Sequence, residues 1–294
     1  MRIGVDLGGT KIEGIALDSQ GAEIFRERVP TPRHDYAATI VAVAGLVARA
    51  GPARPDGVGM AIPGCVSKVS GLIKNANSTW LNGRPLQADL EAALGCPVSL
   101  ANDANCFVLS EATDGAGAGA DIVFGVIAGT GTGGGVAVGG RVLEGGHGLS
   151  GEWGHNPLPG MSPEEWEEAP ACYCGKRGCI ETWISGPGLA ADHARHAGTA
   201  LSAEQIVVSQ DSQARAAMAR FTDRFARSLA SVVNILDPDV IVLGGGLSNI
   251  QRLYRDLPLL VAKHAFTIEG LPKIVQNRHG DSSGVRGAAW LAPR

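Results

Sequence analysis

The chain has 294 residues, of which 45% are hydrophobic and 18% are charged, and its formal net charge is -4. This length suggests one large domain or two smaller lobes. Proteins that bind nucleic acid need a basic surface, so the charge argues against a nucleic-acid partner. The longest apolar stretch, residues 40–48, is far below the roughly 20 residues of a membrane span, and no signal-peptide pattern opens the sequence. We therefore expect a cytoplasmic protein with no membrane partner.

The pattern of apolar residues predicts an α/β protein in which glycine-rich turns join short buried strands. Alternating apolar residues are typical of strands, and apolar spacings of three and four are typical of helices. Glycine and proline mark the ends of several segments. In chain order, we predict strands at 3–7 and 12–17, a helix at 36–50, a strand at 58–62, a helix at 103–114, strands at 122–128 and 136–138, a helix at 213–236 and a strand at 240–243.

The segment Asp6-Leu7-Gly8-Gly9-Thr10-Lys11 lies where the first predicted strand ends. Two glycines let backbone N–H groups face an anion, and Thr10 and Lys11 add a hydroxyl and a positive charge. Asp6 is a carboxylate in a strand that looks buried, which is costly unless it serves something such as the water shell of Mg²⁺. The segment suggests a phosphate-binding turn, although a plain hairpin with a polar end fits equally well.

The segment Asn102-Asp103-Ala104-Asn105 begins the helix predicted at 103–114. Asn and Asp favour the N-cap of a helix. A carboxylate here also suits a general base that takes the proton of a hydroxyl during phosphoryl transfer. Both roles can hold at once, because a cap fixes the direction of the carboxylate.

A second glycine-rich turn is Gly129-Thr130-Gly131-Thr132-Gly133-Gly134-Gly135. It contains G-x-G-x-x-G, but with 42 glycines in the chain about one such match is expected by chance. The dinucleotide fingerprint should open a helix, whereas a β-branched run at 136–138 predicts another strand. We interpret the turn as a phosphate clamp and disfavour a nicotinamide site. The P-loop motif does not occur in the sequence.

Four polar residues are candidates for sugar recognition: Asn77, Glu152, His155 and Glu181. A hexose presents a ring of hydroxyls, which carboxylates and amides can bind in fixed directions. Taken singly, each of these residues would more often be an ordinary surface group. Their grouping is therefore an open hypothesis.

Three cysteines, Cys172, Cys174 and Cys179, form the pattern C-x-C-x4-C. At six cysteines in the chain, roughly 0.002 such patterns are expected by chance. His155 supplies a fourth ligand for a tetrahedral Cys3His site, and four protein ligands make the ion a structural Zn²⁺. A redox pair or a strained disulfide is the alternative.

The third glycine cluster is Gly244-Gly245-Gly246, between a predicted strand and a helix. Backbone without side chains could lie flat against an adenine or a ribose. A simple strand-to-helix connection explains the cluster equally well.

Together these motifs resemble those of the ROK family (repressors, uncharacterised reading frames, sugar kinases) over the whole chain. The matching segments are residues 6–11, 102–105, 129–131, 151–155 and 172–181. Within the family, residues 74–83, 172–186 and 279–287 are most similar to bacterial fructokinases of the manno(fructo)kinase type.

The resemblance implies an actin-like ATPase (ribonuclease H-like) fold with two lobes around a nucleotide and sugar cleft. The smaller lobe would comprise residues 1–115 plus 281–294, and the larger lobe, with the zinc loop, residues 116–280. The implied activity is an ATP-dependent hexose kinase that uses Mg²⁺. Fructose is the preferred acceptor, at its 6-hydroxyl, and mannose, glucose or N-acetylglucosamine are alternatives. The relatives imply a homodimer.

The resemblance also implies residue roles. Asp103 would be the base, and His155 would chiefly bind zinc. ATP and its magnesium would be held by Asp6, Gly8, Gly9, Thr10, Lys11, Thr130, Gly131, Gly133, Gly244, Gly245 and Gly246. The sugar would be faced or supported by Asn77, Asn102, Asp103, Glu152, His155 and Glu181.

Two points of this interpretation stay open or are disfavoured. Residues 157–171 have no functional interpretation. A sugar-responsive transcription regulator, a class that the same family contains, would need a DNA-binding helix-turn-helix ahead of the first strand. We expect that strand to begin at residue 2, so the regulator is the less favoured hypothesis.

Overall fold

A computed structural model describes residues 1–52, 55–266 and 269–293. The strands are β1 (Arg2–Leu7), β2 (Lys11–Leu17), β3 (Glu23–Pro30), β4 (Val58–Ile62), β5 (Cys65–Val66), β6 (Ile73–Lys74), β7 (Val98–Asn102), β8 (Ile122–Ala128), β9 (Thr132–Val138), β10 (Arg141–Val142), β11 (Val240–Gly244) and β12 (Lys273–Gln276). The α-helices are α1 (Tyr36–Ala50), α2 (Leu86–Leu94), α3 (Asp103–Thr113), α4 (Pro163–Glu167), α5 (Glu181–Ile184), α6 (Gly186–Ala197), α7 (Ala203–Val208), α8 (Ser212–Leu236), α9 (Arg252–His264) and α10 (Ser283–Leu291).

The elements predicted from periodicity are confirmed. The helices expected at 36–50, 103–114 and 213–236 are α1, α3 and α8, and the predicted strands match β1, β2, β4, β8 and β11. The run at 136–138 is the end of β9. The second glycine-rich turn is therefore followed by a strand, which contradicts the dinucleotide fingerprint and its nicotinamide site.

The described chain divides into two compact units. Unit 1 comprises residues 1–119, 135–150 and 278–294, and unit 2 comprises residues 120–134 and 151–277. The division falls within β9. The lobe boundaries expected from the sequence differ mainly at 135–150, and they stay a prediction.

Unit 1 is built on a five-stranded sheet with the order β3-β2-β1-β4-β7. β1 and β2 form an antiparallel hairpin, whereas β1, β4 and β7 are parallel. The buried side chains of β1, β4 and α1 form its main core, which includes Val5, Met60 and Leu46. Parallel strands that are buried on both faces explain why β4 is apolar along its whole length.

Helix α10 packs closely against this sheet because three glycines leave room for its backbone. A Cβ added to Gly4 would lie 2.3 Å from the Ala289 nitrogen, and one added to Gly59 would lie 1.9 Å from the Ala288 oxygen. On α10 itself, a Cβ at Gly287 would lie 1.6 Å from the Cys106 oxygen of α3. Side chains at these positions would push α10 and α3 off the sheet.

The second sheet has the order β10-β9-β8-β11-β12, with β8, β11 and β12 parallel. In unit 2, the long helix α8 buries Phe221, Phe225 and Leu229 on one face, as its spacing of three and four predicts. Asp211 caps its first turn by accepting from the backbone nitrogen of Gln213 at 2.8 Å. Among the described residues, no helix is long and apolar enough to cross a membrane.

Candidate active site

The C-terminal edge of the parallel strands in unit 1 brings its candidate residues together. In the register of the sheet, Asp6 of β1 is opposite Ala61 of β4, and Ala61 is opposite Ala101 of β7. Asp103 follows β7 directly as the first residue of α3. The strand ends therefore place the carboxylates of Asp6 and Asp103 at one edge of one sheet.

The turn between β1 and β2 is held by hydrogen bonds to its own carbonyl oxygens. The Thr31 hydroxyl donates to the Gly8 oxygen at 2.7 Å, and Arg33 Nε donates to the Gly9 oxygen at 3.0 Å. A Cβ at Gly8 would lie 2.9 Å from the Lys11 oxygen, which the Gly8 nitrogen also contacts at 3.1 Å. With the carbonyls engaged in this way, the exposed Thr10 and Lys11 can present donors to an anion.

Asp103 combines a fixed backbone with an accessible side chain. Asn102 caps α3 by accepting from the Ala104 nitrogen at 2.8 Å, and Asp103 Oδ1 accepts from the same nitrogen at 2.8 Å. Asp103 is exposed on one side, while protein packed around the rest of the carboxyl removes water and raises its pKa above the ordinary value. A carboxylate in this state can accept a proton more readily than an ordinary surface Asp.

The pKa of the Asp6 carboxyl is also raised above its ordinary value. Burial, and then the negative charges of Asp103 and Glu13, raise the pKa of Asp6 to about 7. Desolvation disfavours its charged form, and a like charge nearby disfavours it again. A divalent cation beside the two carboxylates would relieve both effects.

The segment around Asn77 is clamped beside this edge. The Asn82 side chain accepts from the Ala76 nitrogen and donates to the Ala76 oxygen, both at 2.9 Å. Gly64, at φ +75°, lets that backbone approach, since a Cβ there would lie 2.4 Å from the Lys74 oxygen. Asn77 itself is exposed. The role of Asn82 was not found from the sequence, because no motif encodes its side-chain hydrogen bonds to the backbone of Ala76.

In unit 2, two glycine-rich turns lie side by side. β8 and β11 are parallel, with Ile127 opposite Gly244, so the turns that follow them share one edge of the sheet. Gly245 adopts φ +79°, and a Cβ there would lie 2.4 Å from the Ala128 oxygen. Only glycine allows the two turns to approach in this way.

A pocket of about 770 Å³ opens beside these turns. Its walls come from the turn after β8, from the start of α6, from α7 and from the segment after β11. The lining residues are Gly129, Thr130, Gly186, Pro187, Ala190, Ser202, Ala203, Glu204, Val207, Val208, Gly246, Leu247, Asn249 and Ile250. The contributions of α6 and α7 were missed from the sequence, although Ser185 and Ser202 are N-caps that mark where both helices begin.

Glu181 supports the turn after β8. Its Oε2 accepts from the Thr132 nitrogen at 2.9 Å, and the Thr132 hydroxyl donates to the Ile184 oxygen at 3.2 Å. A Cβ at Gly131 would lie 2.5 Å from the same Glu181 oxygen. This carboxylate therefore holds the backbone that carries Thr130.

The segment Gly151-Glu152-Trp153-Gly154-His155 is anchored by its middle residues. Trp153 is buried and donates from Nε1 to the Gly133 oxygen at 3.0 Å. This hydrogen bond fixes the segment against β9. A Cβ at Gly154 would lie 2.1 Å from the Thr132 oxygen. Fixed in this way, the short 3₁₀ turn at 153–155 carries the exposed Glu152 before it and His155 at its end.

The four expected metal ligands meet in unit 2. One ligand atom from each of His155, Cys172, Cys174 and Cys179 lies within 4.8 Å of all the others. The Cys172 sulfur is 3.6 Å from His155 Nδ1, and the Cys174 and Cys179 sulfurs are 3.6 Å apart. A tetrahedral zinc with Zn–S of about 2.3 Å and Zn–N of about 2.0 Å separates its ligand atoms by about 3.5–3.8 Å. The donor set and its spacing fit zinc. No disulfide joins the three cysteines of the cluster in this structure, and the redox pair and the strained disulfide stay alternatives.

Tyr173, between two members of this cluster, was not singled out from the sequence. Its hydroxyl lies 3.0 Å from His155 Nε2, and its ring meets the imidazole edge to face at 5.1 Å. Partial desolvation, and then the charge of Glu181 and other neighbours, raise the pKa of Tyr173 to about 12. The nitrogen of His155 that does not face the cysteines therefore contacts a protonated tyrosine.

Residues 157–171 contact both the metal loop and α8. Pro157 forms an isolated β-bridge with Cys179. In α4, Glu165 accepts from the buried Arg224 at 2.7 Å, and the neighbouring arginines lower the pKa of the Glu165 carboxyl against the opposing effect of its burial. Residues 157–171, which had no functional interpretation from the sequence, therefore pack against other parts of unit 2 and stabilise them.

Comparisons with known proteins place the chain in a family. The ROK family model matches residues 2–294, so the chain belongs to the ROK family. An N-acetyl-D-glucosamine kinase of Vibrio cholerae serotype O1 is 41% identical over 99% of this chain and 99% of its own length. A ROK hexokinase from Thermus thermophilus has 32% identity and a TM-score of 0.87, with 99% of this chain and 97% of that chain covered. A ROK family glucokinase from Streptomyces griseus, solved with glucose and AMPPNP, has 26% identity and a TM-score of 0.79, with 99% and 98% covered.

These relatives confirm the family, the fold and the sugar-kinase activity that the sequence predicted. The chain is a sugar kinase of this family, with the two-lobed actin-like ATPase fold. The resemblance to fructokinases is not supported, since the three relatives above are an N-acetylglucosamine kinase, a hexokinase and a glucokinase.

The metal cluster generates the first prediction. We expect the purified protein to carry about one zinc per chain, and Cys179→Ser to lose it, because three ligands bind zinc far more weakly than four. Cys65→Ser is the matched control, since Cys65 lies in unit 1, outside the cluster. Elemental analysis of both variants after dialysis provides the measurement. Full zinc in Cys179→Ser would contradict the ligand assignment.

Proposed function

We propose that this chain is an ATP-dependent N-acetylglucosamine (GlcNAc) kinase that transfers the γ-phosphoryl group to the sugar's 6-hydroxyl. The observation that carries the choice of sugar is the 41% identity to a GlcNAc kinase across 99% of both chains. The sequence interpretation preferred fructose and named GlcNAc as an alternative, and the relatives favour that alternative. Glucose is the second candidate, since the Streptomyces griseus relative was solved with it.

In unit 1, Asp103 would act as the general base. It is the first residue of a capped helix, it is exposed, and its pKa is raised, so it can take the proton of the attacking hydroxyl. Asp6 would bind Mg²⁺ through its water shell. The turn from Gly8 to Lys11 would bind phosphate oxygens through backbone N–H groups other than that of Gly8, which donates to the Lys11 oxygen, and through the side chains of Thr10 and Lys11.

In unit 2, the 770 Å³ pocket would hold the nucleoside of ATP. Its volume is in the usual range for small-molecule sites, and glycine backbone on one side suits a flat base. Thr130 and Gly131, at the pocket's edge, would contact phosphates. Gly133 would also belong to this turn, with its carbonyl oxygen fixed by the hydrogen bond that it accepts from Trp153.

In unit 1, Asn77 and Asn102 would face or support the sugar. In unit 2, Glu152 and Glu181 are the candidate carboxylates, and Glu181 Oε2 also supports the turn at Thr132. Carboxylates and amides suit the hydroxyls of a hexose because they accept and donate in fixed directions.

Zinc would be held by His155 Nδ1 and the three cysteine sulfurs, and its contribution would be to fix the metal loop. Through that loop it would set the positions of His155 and its neighbour Tyr173. The homodimer and the cytoplasmic location expected from the sequence stay predictions.

The choice of sugar is tested by an ADP-release assay across GlcNAc, glucose, mannose and fructose, with and without Mg²⁺. We expect the highest kcat/KM for GlcNAc and no turnover without the cation, since phosphoryl transfer needs the metal to neutralise developing charge. A higher kcat/KM for glucose or fructose would contradict the proposed substrate. If none of the four sugars stimulates ADP release, the proposed hexose kinase activity is wrong.

The role of Asp103 is tested by Asp103→Asn. We expect kcat to fall by about 10²–10⁴-fold, because the amide cannot accept the proton, while GlcNAc affinity by calorimetry stays within about threefold. Asp211→Asn is the matched control, since it changes an N-cap aspartate on α8 to another good cap. Turnover of Asp103→Asn close to that of Asp211→Asn would show that Asp103 is not the base.

A further inference from the structure

Gly284 lies in the first turn of α10, where its missing side chain leaves space beside Asp6. A Cβ added to Gly284 would lie 3.3 Å from Asp6 Oδ2 and 4.0 Å from Asp6 Cγ. Apart from its chain neighbours and the backbone of its own helix, no other described atom lies within 4 Å of that Cβ. The space at Gly284 is therefore bounded by one group, the carboxylate to which we assign the magnesium ion.

Neither backbone strain nor backbone packing explains a glycine at this position. The backbone of Gly284 is helical and its φ is not positive, so other residues can adopt the same conformation. By contrast, Gly287 on the same helix meets the Cys106 oxygen, and Gly4 and Gly59 meet the backbone of α10. Glycine also destabilises a helix relative to alanine. A residue that weakens its own helix without a packing reason indicates a functional constraint.

The surroundings of Gly284 and Asp6 fix both backbones. The buried Ser283 donates from its hydroxyl to Glu111 Oε1 at 2.8 Å, which anchors the start of α10 to α3. Asp6 belongs to β1, which lies between β2 and β4 in the sheet. A side chain at position 284 would therefore be accommodated by a shift of the Asp6 carboxylate, because neither backbone is free to move.

The Asp6 carboxylate has the properties of a ligand-binding group. Among the residues that the structure describes, no N–H or O–H group donates a hydrogen bond to it, although it is partly buried. Buried carboxylates usually accept hydrogen bonds, so this one fits a ligand that brings its own donors. The water shell of Mg²⁺ supplies such donors, and Mg²⁺ prefers oxygen ligands.

We propose that Gly284 is a positioning residue for the magnesium ion that accompanies ATP. It makes no contact with the metal. Its lack of a side chain leaves Asp6 Oδ2 in place and keeps one side of that oxygen open to the water shell. This inference rests on the proposed function, since it concerns the magnesium site of the proposed kinase.

The test measures the calorimetric Kd of Gly284→Ala and of the wild type for the ATP analogue AMPPNP, with Mg²⁺ and with EDTA instead. Mg²⁺ should tighten binding to the wild type. In Gly284→Ala, the Kd with Mg²⁺ should rise by about 10-fold or more, the usual effect of losing one hydrogen bond to a charged group. The Kd in EDTA and the Kd for GlcNAc should each stay within about twofold.

Gly45→Ala is the matched control. Gly45 lies in helix α1, and a Cβ there would meet only the flexible end of the Arg49 side chain, at 3.4 Å. This variant should leave every Kd unchanged. Thermal unfolding shows whether the fold is intact, and the Tm of both variants should equal or exceed that of the wild type, because alanine favours a helix.

Three results would overturn the role of Gly284. They are an unchanged effect of Mg²⁺ on Gly284→Ala, an equal loss of AMPPNP affinity with and without Mg²⁺, and a Tm well below that of Gly45→Ala. The last two would show that the glycine serves the nucleotide site as a whole or the fold.

Failure of the proposed function gives a different pattern. A wild type that does not bind AMPPNP, or that releases no ADP with any of the four sugars, overturns the proposed kinase. A wild type whose AMPPNP binding depends on Mg²⁺, together with a Gly284→Ala variant that keeps this dependence, overturns only the role of Gly284.

Discussion

The structure of unit 1 depends on one constraint: β1, β4 and β7 run parallel, so their C-terminal ends meet at one edge of the sheet. That edge carries Asp6 at the end of one strand and Asp103 just after another. Burial and the mutual repulsion of the two carboxylates raise the pKa of Asp6 to about 7, a cost that a folded protein retains where function needs it. The base, the magnesium ligand and the phosphate turn of the proposed mechanism all depend on this placement.

Close backbone packing maintains the edge in each unit. In unit 1, Gly287 lets α10 approach α3, the helix that begins with Asp103. In unit 2, Gly245 lets the turn after β11 approach the end of β8, where the pocket of about 770 Å³ opens. Both units thus follow the same physical rule. Parallel strands bring loops together, and glycine removes the side chains that would keep those loops apart.

Local signals were enough to predict much of this from the sequence. The spacing of apolar residues predicted α1 and α8. The run of β-branched and small residues at 136–138 predicted the strand that follows the turn at 129–131. The cysteine spacing predicted the metal cluster, since its ligands lie close together in the chain apart from His155. The walls of the pocket in unit 2 were not predictable, because α6 and α7 reach it only through tertiary packing. The preference for fructose came from resemblance alone, and the relatives favour N-acetylglucosamine, because no spacing pattern in the sequence encodes the choice of sugar.

Titration of the Asp6 carboxyl by NMR, with ¹³C-labelled aspartate assigned through Asp6→Asn, tests directly whether Asp6 and Asp103 share one partly desolvated edge. Without metal or substrate, we expect a pKa of about 7 for Asp6, so that its charged form is lost as the pH falls through neutrality. In Asp103→Asn this pKa should drop, since one repelling charge is gone. An Asp6 that titrates near 3.8, the ordinary aspartate value, or whose pKa does not respond to Asp103→Asn, would show that the two carboxylates do not share such an edge.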